Sequence, residues 1–154
     1  MSNDIFKLKE LESLVGHRFN DPNVLKQALT HASLERSSWN VYERLEFLGD
    51  RVLGLVVSET LLKRFPNERE GQISRRYANL VKRDSLAVVA RKIKFGNYLL
   101  ISTGEEAAGA RESVTILSDA LEAVIGALYW DAVSYTHLRA HETRHDLVCR
   151  LLLE

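Results

Sequence analysis

Glu43, Glu46 and Asp50 stand in the run Tyr42-Glu43-Arg44-Leu45-Glu46-Phe47-Leu48-Gly49-Asp50. On a helix their spacing of i, i+3 and i+7 puts all three carboxylates on one face. Like charges so placed cost stability in a bare helix, and a hard divalent cation with oxygen ligands offsets that cost. A second pair, Asp119 and Glu122, repeats the i, i+3 spacing in Asp119-Ala120-Leu121-Glu122. Two helices that aim Glu46, Asp50, Asp119 and Glu122 at one point would make an Mg²⁺ site. Crowded without a cation, these groups would repel one another and some would take up protons.

The elements that must position them read as almost wholly helical. Asp4 caps a first helix carrying Ile5, Leu8, Leu11 and Val15, and Gly16 ends it. Asp21-Pro22 opens a second, since proline suits the first helical position; it runs through Val24, Leu25, Ala28 and Leu29. Ser37-Ser38-Trp39-Asn40 is a loop. One long helix spans Val41 to Arg64, apolar at Leu45, Leu48, Val52, Leu55, Val56 and Leu62, and stops at Pro66-Asn67. Glu70-Gly71 opens the next, with Ile73, Tyr77, Leu80 and Val81 inward. Asp84 caps another, with Leu86, Val89, Ala90 and Ile93 inward, and Phe95-Gly96-Asn97 closes it. Residues 103–110 form a small polar loop or short helix. Ser113 to Tyr129 is the last strong helix. No stretch alternates cleanly enough for a strand. The expected fold class is all-α.

These residues carry a family resemblance. Glu43-Arg44-Leu45-Glu46-Phe47-Leu48-Gly49-Asp50 resembles the central motif of the ribonuclease III family, Mg²⁺-dependent endonucleases of double-stranded RNA. Ala28-Leu29-Thr30-His31-Ala32-Ser33 fits upstream. Phe65-Pro66, Glu70-Gly71, Ser74-Arg75-Arg76, Asp119-Ala120-Leu121-Glu122-Ala123 and Gly126-Ala127-Leu128-Tyr129 fit downstream, in order. The resemblance implies a single helical endonuclease domain, truncated at its C-terminal end, and covers roughly residues 5–131. It implies that Glu46, Asp119 and Glu122 bind Mg²⁺ (with Mn²⁺ as a substitute), that Asp50 and Glu122 are catalytic, and that Glu43 and Glu70 assist. It implies a homodimer with Phe47 at the interface, and hydrolysis to 5′-phosphate and 3′-hydroxyl ends in rRNA or other RNA processing. Tyr42 stands where many members carry Asn, and Arg51 where a small residue is common. Neither change removes a carboxylate.

The chain of 154 residues suits one domain. No run approaches the ~18 apolar residues of a membrane span, and no signal peptide opens it, so a cytoplasmic protein is expected. The single cysteine, Cys149, excludes a disulfide framework. Net charge is zero, with 21 basic and 21 acidic side chains. RNA phosphates would therefore meet local clusters only: Lys63-Arg64, Arg75-Arg76, Lys82-Arg83 and Arg91-Lys92-Lys94.

Composition changes after Tyr129-Trp130-Asp131. The segment Val133 to Thr143 reads, codon by codon, as a translated transposase-type sequencing adapter, and Leu147 to Leu153 as its flanking primer. The expected division is therefore residues 1–131 as nuclease domain and 132–154 as a non-native tail. His141-Glu142-Thr143-Arg144-His145 matches the H-E-x-x-H zinc pattern but falls within that tail, so no zinc site is expected. A carboxylate-bridged di-iron bundle needs E-x-x-H pairs, and none follows Glu46 or Glu122. The alternatives to a full nuclease are a non-catalytic RNA-binding module of the same fold and a naturally short nuclease without an RNA-binding domain.

Overall fold

The protein, described here from a computed structural model, is resolved into elements over residues 2–34 and 41–136, with side chains over 6–34 and 41–133. Seven α-helices follow in order among these residues: α1 (Ser2–Val15), α2 (Pro22–Leu29), α3 (Val41–Arg64), α4 (Glu70–Val81), α5 (Arg83–Lys92), α6 (Thr103–Ala107) and α7 (Val114–Thr136). Short 3₁₀ turns cover Ala32–Leu34, Phe95–Tyr98 and Ala110–Glu112. The all-α expectation holds. The nearest approach to a sheet is an isolated parallel bridge between Thr30 and Leu100, with Leu100 N–H donating to the Leu29 carbonyl at 2.9 Å.

The punctuation of the sequence works largely as written. Gly16 adopts a left-handed φ of 70°, and the His17 N–H donates back to the Glu12 carbonyl at 3.1 Å. That bond is the usual closure of a helix whose last carbonyls lack partners. The Asp21 carboxylate accepts from Asn23 N–H at 2.9 Å, with Pro22 at the first helical position. Two expected caps are displaced. Asp4 falls inside α1, which starts at Ser2, and Asp84 lies in the first turn of α5 behind Lys82. Asp84 still opposes the positive end of the helix dipole there.

α7 is the centre of the molecule. Leu117, Leu121, Val124, Ile125 and Leu128 are buried, and so are Ala120, Ala123 and Ala127. A helix apolar nearly all round must be surrounded, and α2, α3 and α5 pack on it, with α4 outside α3. α3 buries Tyr42, Leu45, Gly49, Val52, Leu53, Val56, Val57 and Leu61. Leu55 and Leu62, expected in its apolar stripe, face solvent instead. Each lies one residue off the buried row, and successive residues on a helix point ~100° apart. Leu80 of α4 is likewise exposed.

The last helix runs beyond its expected end at Tyr129, through Thr136. Asp131 near that end is only 5% exposed. Its Oδ2 meets His17 Nε2 at 2.9 Å and accepts from Asn20 Nδ2 at 3.0 Å and Asn20 N–H at 3.2 Å. Asp21 N–H reaches Oδ1 at 3.3 Å. One carboxylate thus clasps the α1–α2 connection to α7. The expected loop at Ser37 to Asn40 and the H-E-x-x-H segment lie outside the described residues.

Candidate active site

α3 and α7 come into backbone contact beside the carboxylates. A Cβ on Gly49 would stand 1.8 Å from the Glu122 carbonyl oxygen. Only glycine permits that approach, and it draws Glu46 and Asp50 on α3 toward Asp119 and Glu122 on α7. One carboxylate oxygen each from Glu46, Asp119 and Glu122 gathers within a mutual 4.8 Å. All three side chains are partly buried.

The electrostatics record the crowding. Burial, followed by the charges of Asp50, Asp119 and Glu46, pushes Glu122 up to about 7. Burial and then Asp119 also raise Glu46 above the usual carboxylate range. Asp50 lies outside the tight trio and pairs with Arg51, yet its charge is the largest of those acting on Glu122. The donors are all hard oxygens at partial burial, and their mutual repulsion would be relieved by a divalent cation. That donor set fits Mg²⁺ or Mn²⁺ and not a thiolate- or imidazole-seeking metal.

The outer carboxylates go elsewhere. Glu43 is exposed, and its charge reaches Glu46. Glu70 is exposed at the start of α4, accepting from Ser74 Oγ at 2.6 Å, and is not among the clustered groups. Phe47 points outward at 65% exposure, with the Arg51 guanidinium 5.0 Å from its ring centre. It borders an apolar cleft of about 600 Å³ lined by Val24, Leu45, Leu48 and Trp130.

Two site residues were not singled out by sequence reasoning. Arg83 Nε lies 3.8 Å from Asp119 Oδ1, and its charge works against the rise in both Glu46 and Glu122. In the sequence it is one member of the basic pair Lys82-Arg83. Tyr42, seen only as a departure from a motif, is buried one turn before Glu46. The position i–4 from a carboxylate was the available signal.

A helical domain with a carboxylate cluster between its two longest helices belongs to the class of all-α domains that offer a hard-cation site, and comparison with known proteins narrows it. The ribonuclease-III-like family model matches residues 21–142, and the chain belongs to that family. It is 49% identical over 125 residues to ribonuclease 3 of Ectopseudomonas mendocina, covering 81% of this chain and 53% of that protein. The match to ribonuclease 3 of Psychrobacter arcticus is 43% over 128 residues, covering 83% of this chain and 48% of that one. The chain thus spans about half the length of the curated relatives it matches. Among solved structures it is similar to the nuclease domain of ribonuclease III from Campylobacter jejuni, at 41% identity and a TM-score of 0.80. That alignment covers 95% of this chain and 94% of the other, whose structure was described for flexibility in a region involved in dimer formation.

Proposed function

We propose that this chain is a metal-dependent endoribonuclease that hydrolyses double-stranded RNA, leaving 5′-phosphate and 3′-hydroxyl ends, and serves the processing of rRNA or other transcripts. The observation that carries the proposal is the convergence of Glu46, Asp119 and Glu122 within 4.8 Å at the Gly49 contact. Glu46, Asp119 and Glu122 would hold Mg²⁺, or Mn²⁺ in its place. When bound, the cation supplies Lewis-acid polarisation of the phosphate and lowers the pKa of a water. Asp50, more open to solvent, would accept a proton from the water whose oxygen bonds to phosphorus; the P–O3′ bond breaks, O3′ leaves with a proton from solvent as the 3′-hydroxyl, and Glu122 orients the reacting groups. Arg83 at the rim offers a guanidinium for the phosphate oxygens.

The working unit is a homodimer. A two-fold pair presents equivalent sites to the two strands of a duplex. Phe47 supplies the projecting aromatic, and the cleft beside Trp130 receives its counterpart. Glu43 and Glu70 assist from the edges of the valley, Glu70 across the subunit boundary. Duplex RNA is read by shape and 2′-hydroxyls, as its A-form minor groove allows. The place of action is the cytoplasm; among the described residues no helix is long and apolar enough to cross a membrane. We take residues 1–131 as the nuclease domain and 132–154 as a non-native tail in which no zinc site is expected, with the family match running on to residue 142 and α7 to Thr136. A carboxylate set with this mutual geometry favours the enzyme over a non-catalytic RNA-binding module.

The test is Glu122→Gln assayed on long duplex RNA with Mg²⁺. Loss of one metal-facing carboxylate should remove several kcal/mol of transition-state stabilisation, about a thousandfold in rate. Circular dichroism should show the helical fold intact. Cleavage at the parent rate would defeat the assignment.

A further inference from the structure

Among the described residues, the Tyr42 hydroxyl is the buried side-chain polar group without a hydrogen-bond partner. The residue is 5% exposed. An unpaired buried hydroxyl costs about 1–3 kcal/mol. Its place makes the cost informative. Tyr42 lies one turn before Glu46 on α3, so both point to the same side of the helix. The ring is held edge-on to His31 at 6.4 Å between centres, and His31 Nδ1 is engaged by Ser33 Oγ at 3.0 Å.

The phenol lies within the field of the three clustered carboxylates. Burial, then the charges of Asp119, Glu46 and Glu122, drive its pKa far above the ordinary value. It therefore stays protonated and can act as a donor. Asp119 is the foremost of the charges acting on it. Ser118 Oγ at 3.2 Å and Arg83 Nε at 3.8 Å both engage Asp119 Oδ1, which leaves Oδ2 to accept from a further donor. A polar contact beyond direct reach is commonly bridged by one water.

We propose that Tyr42 is a positioning residue of the acidic cluster: its hydroxyl donates, through a shared water, to the Asp119 carboxylate and holds it in the orientation that takes a divalent cation. The inference rests on the metal-dependent reading of the same cluster. Groups that orient a ligating carboxylate typically change metal affinity or activity by 10–100-fold when removed.

The experiment is Tyr42→Phe in the full chain, titrated calorimetrically with Mg²⁺ alone and assayed on duplex RNA. Mg²⁺ affinity should weaken about tenfold. The kcat should fall with it, while KM for RNA is unchanged and the metal-free Tm falls by no more than the loss of one water-mediated hydrogen bond allows. Mg²⁺ affinity and kcat equal to the parent would overturn the proposal and leave Tyr42 an ordinary core aromatic. Should the variant not fold, ¹³Cζ-tyrosine labelling of the parent protein gives a second reading. A shift of the Tyr42 resonance on Mg²⁺ saturation supports the contact, and an unmoved resonance overturns it. A parent protein that takes up no Mg²⁺ would overturn the metal-dependent reading and this inference together. Uptake by the parent with an unchanged variant would overturn this inference alone.

Discussion

Gly126 lies against Leu45 as Gly49 lies against Glu122: a Cβ on Gly126 would stand 2.1 Å from the Leu45 carbonyl oxygen and 3.0 Å from the Gly49 nitrogen. The contact is reciprocal, backbone to backbone, and neither helix has a flexible side-chain end that could give way. The carboxylates flank it on both sides. Helix separation and metal geometry are therefore one variable.

Gly49→Ala and Gly126→Ala should each force α3 and α7 apart. The expected cost is about 3 kcal/mol of stability, with Mg²⁺ affinity and RNA cleavage lost more steeply than the fold. Gly71→Ala is the control, because nothing lies within 4 Å of its added Cβ. There a glycine in the first turn of α4 is replaced, and stability should hold or rise by less than the roughly 0.5–1 kcal/mol of a mid-helix position. Chemical denaturation with parallel Mg²⁺ titration separates these outcomes. An Ala at position 49 that binds Mg²⁺ normally would contradict the argument.

Glu122 sets a pH dependence with a definite sign. Its carboxyl is raised from 4.5 to about 7 in the folded chain. Between those values the folded state holds a proton that the unfolded state has released. The resulting stabilisation is complete below 4.5 and is lost as pH rises through about 7. Without metal, the Tm should thus fall as pH is raised from about 5 to about 8. Glu122→Gln should flatten that fall. Mg²⁺ affinity should move the other way and rise through the same window, because binding needs the proton gone. Thermal melts in chelator across this range provide the check, and a parent profile as flat as that of the variant would count against it.

Phe47→Asp should dissociate the dimer while leaving each protomer folded. The side chain is already exposed, so its own protomer loses little packing, whereas at the proposed interface a carboxylate in place of the ring would lose the apolar contact with the cleft and would have to be desolvated, a cost that Arg44 and Arg51 nearby offset only in part. Light scattering should show the monomer mass, with cleavage of duplex RNA reduced at least about tenfold. A stable dimer carrying Asp at this position would place the interface elsewhere.

Asp131→Ala should cost about 2 kcal/mol or more, since the Asn20 and Asp21 N–H groups lose a charged acceptor together. His17→Ala should cost less, because the backbone donors keep their partner. By contrast, removing Ala132–Glu154 should leave duplex-RNA cleavage unchanged or improved. Loss of activity with the helical fold preserved would show that the segment belongs to the enzyme. An unbroken natural gene through codon 154 would show the same.

The fold class was readable because glycine, proline and apolar spacing act locally. Gly16, Pro22 and Pro66 end or begin helices by backbone geometry that needs no distant partner. The carboxylates were readable because their spacing on each helix is itself a local pattern. What the sequence hid depends on how helices are rotated against one another. Leu55 and Leu62 continue the apolar composition of α3 but lie off its buried row. Arg83 becomes part of the site only because α5 packs on α7. Asp131 reads as one more surface acid until α7 meets the α1–α2 connection. The unpartnered Tyr42 hydroxyl is visible only once the surroundings of the ring are known.

The clustering of Glu46 with Asp119 and Glu122 has a consequence for assembly. The two contributing helices lie far apart in the chain, and their docking requires the tight backbone approach at Gly49 and Gly126. A collapsed intermediate could hold every helix and still lack the cluster, because helical content does not depend on interhelical register. Cation uptake during refolding would therefore arrive with the last packing step, and it would time the arrival of native topology more sharply than the recovery of helix.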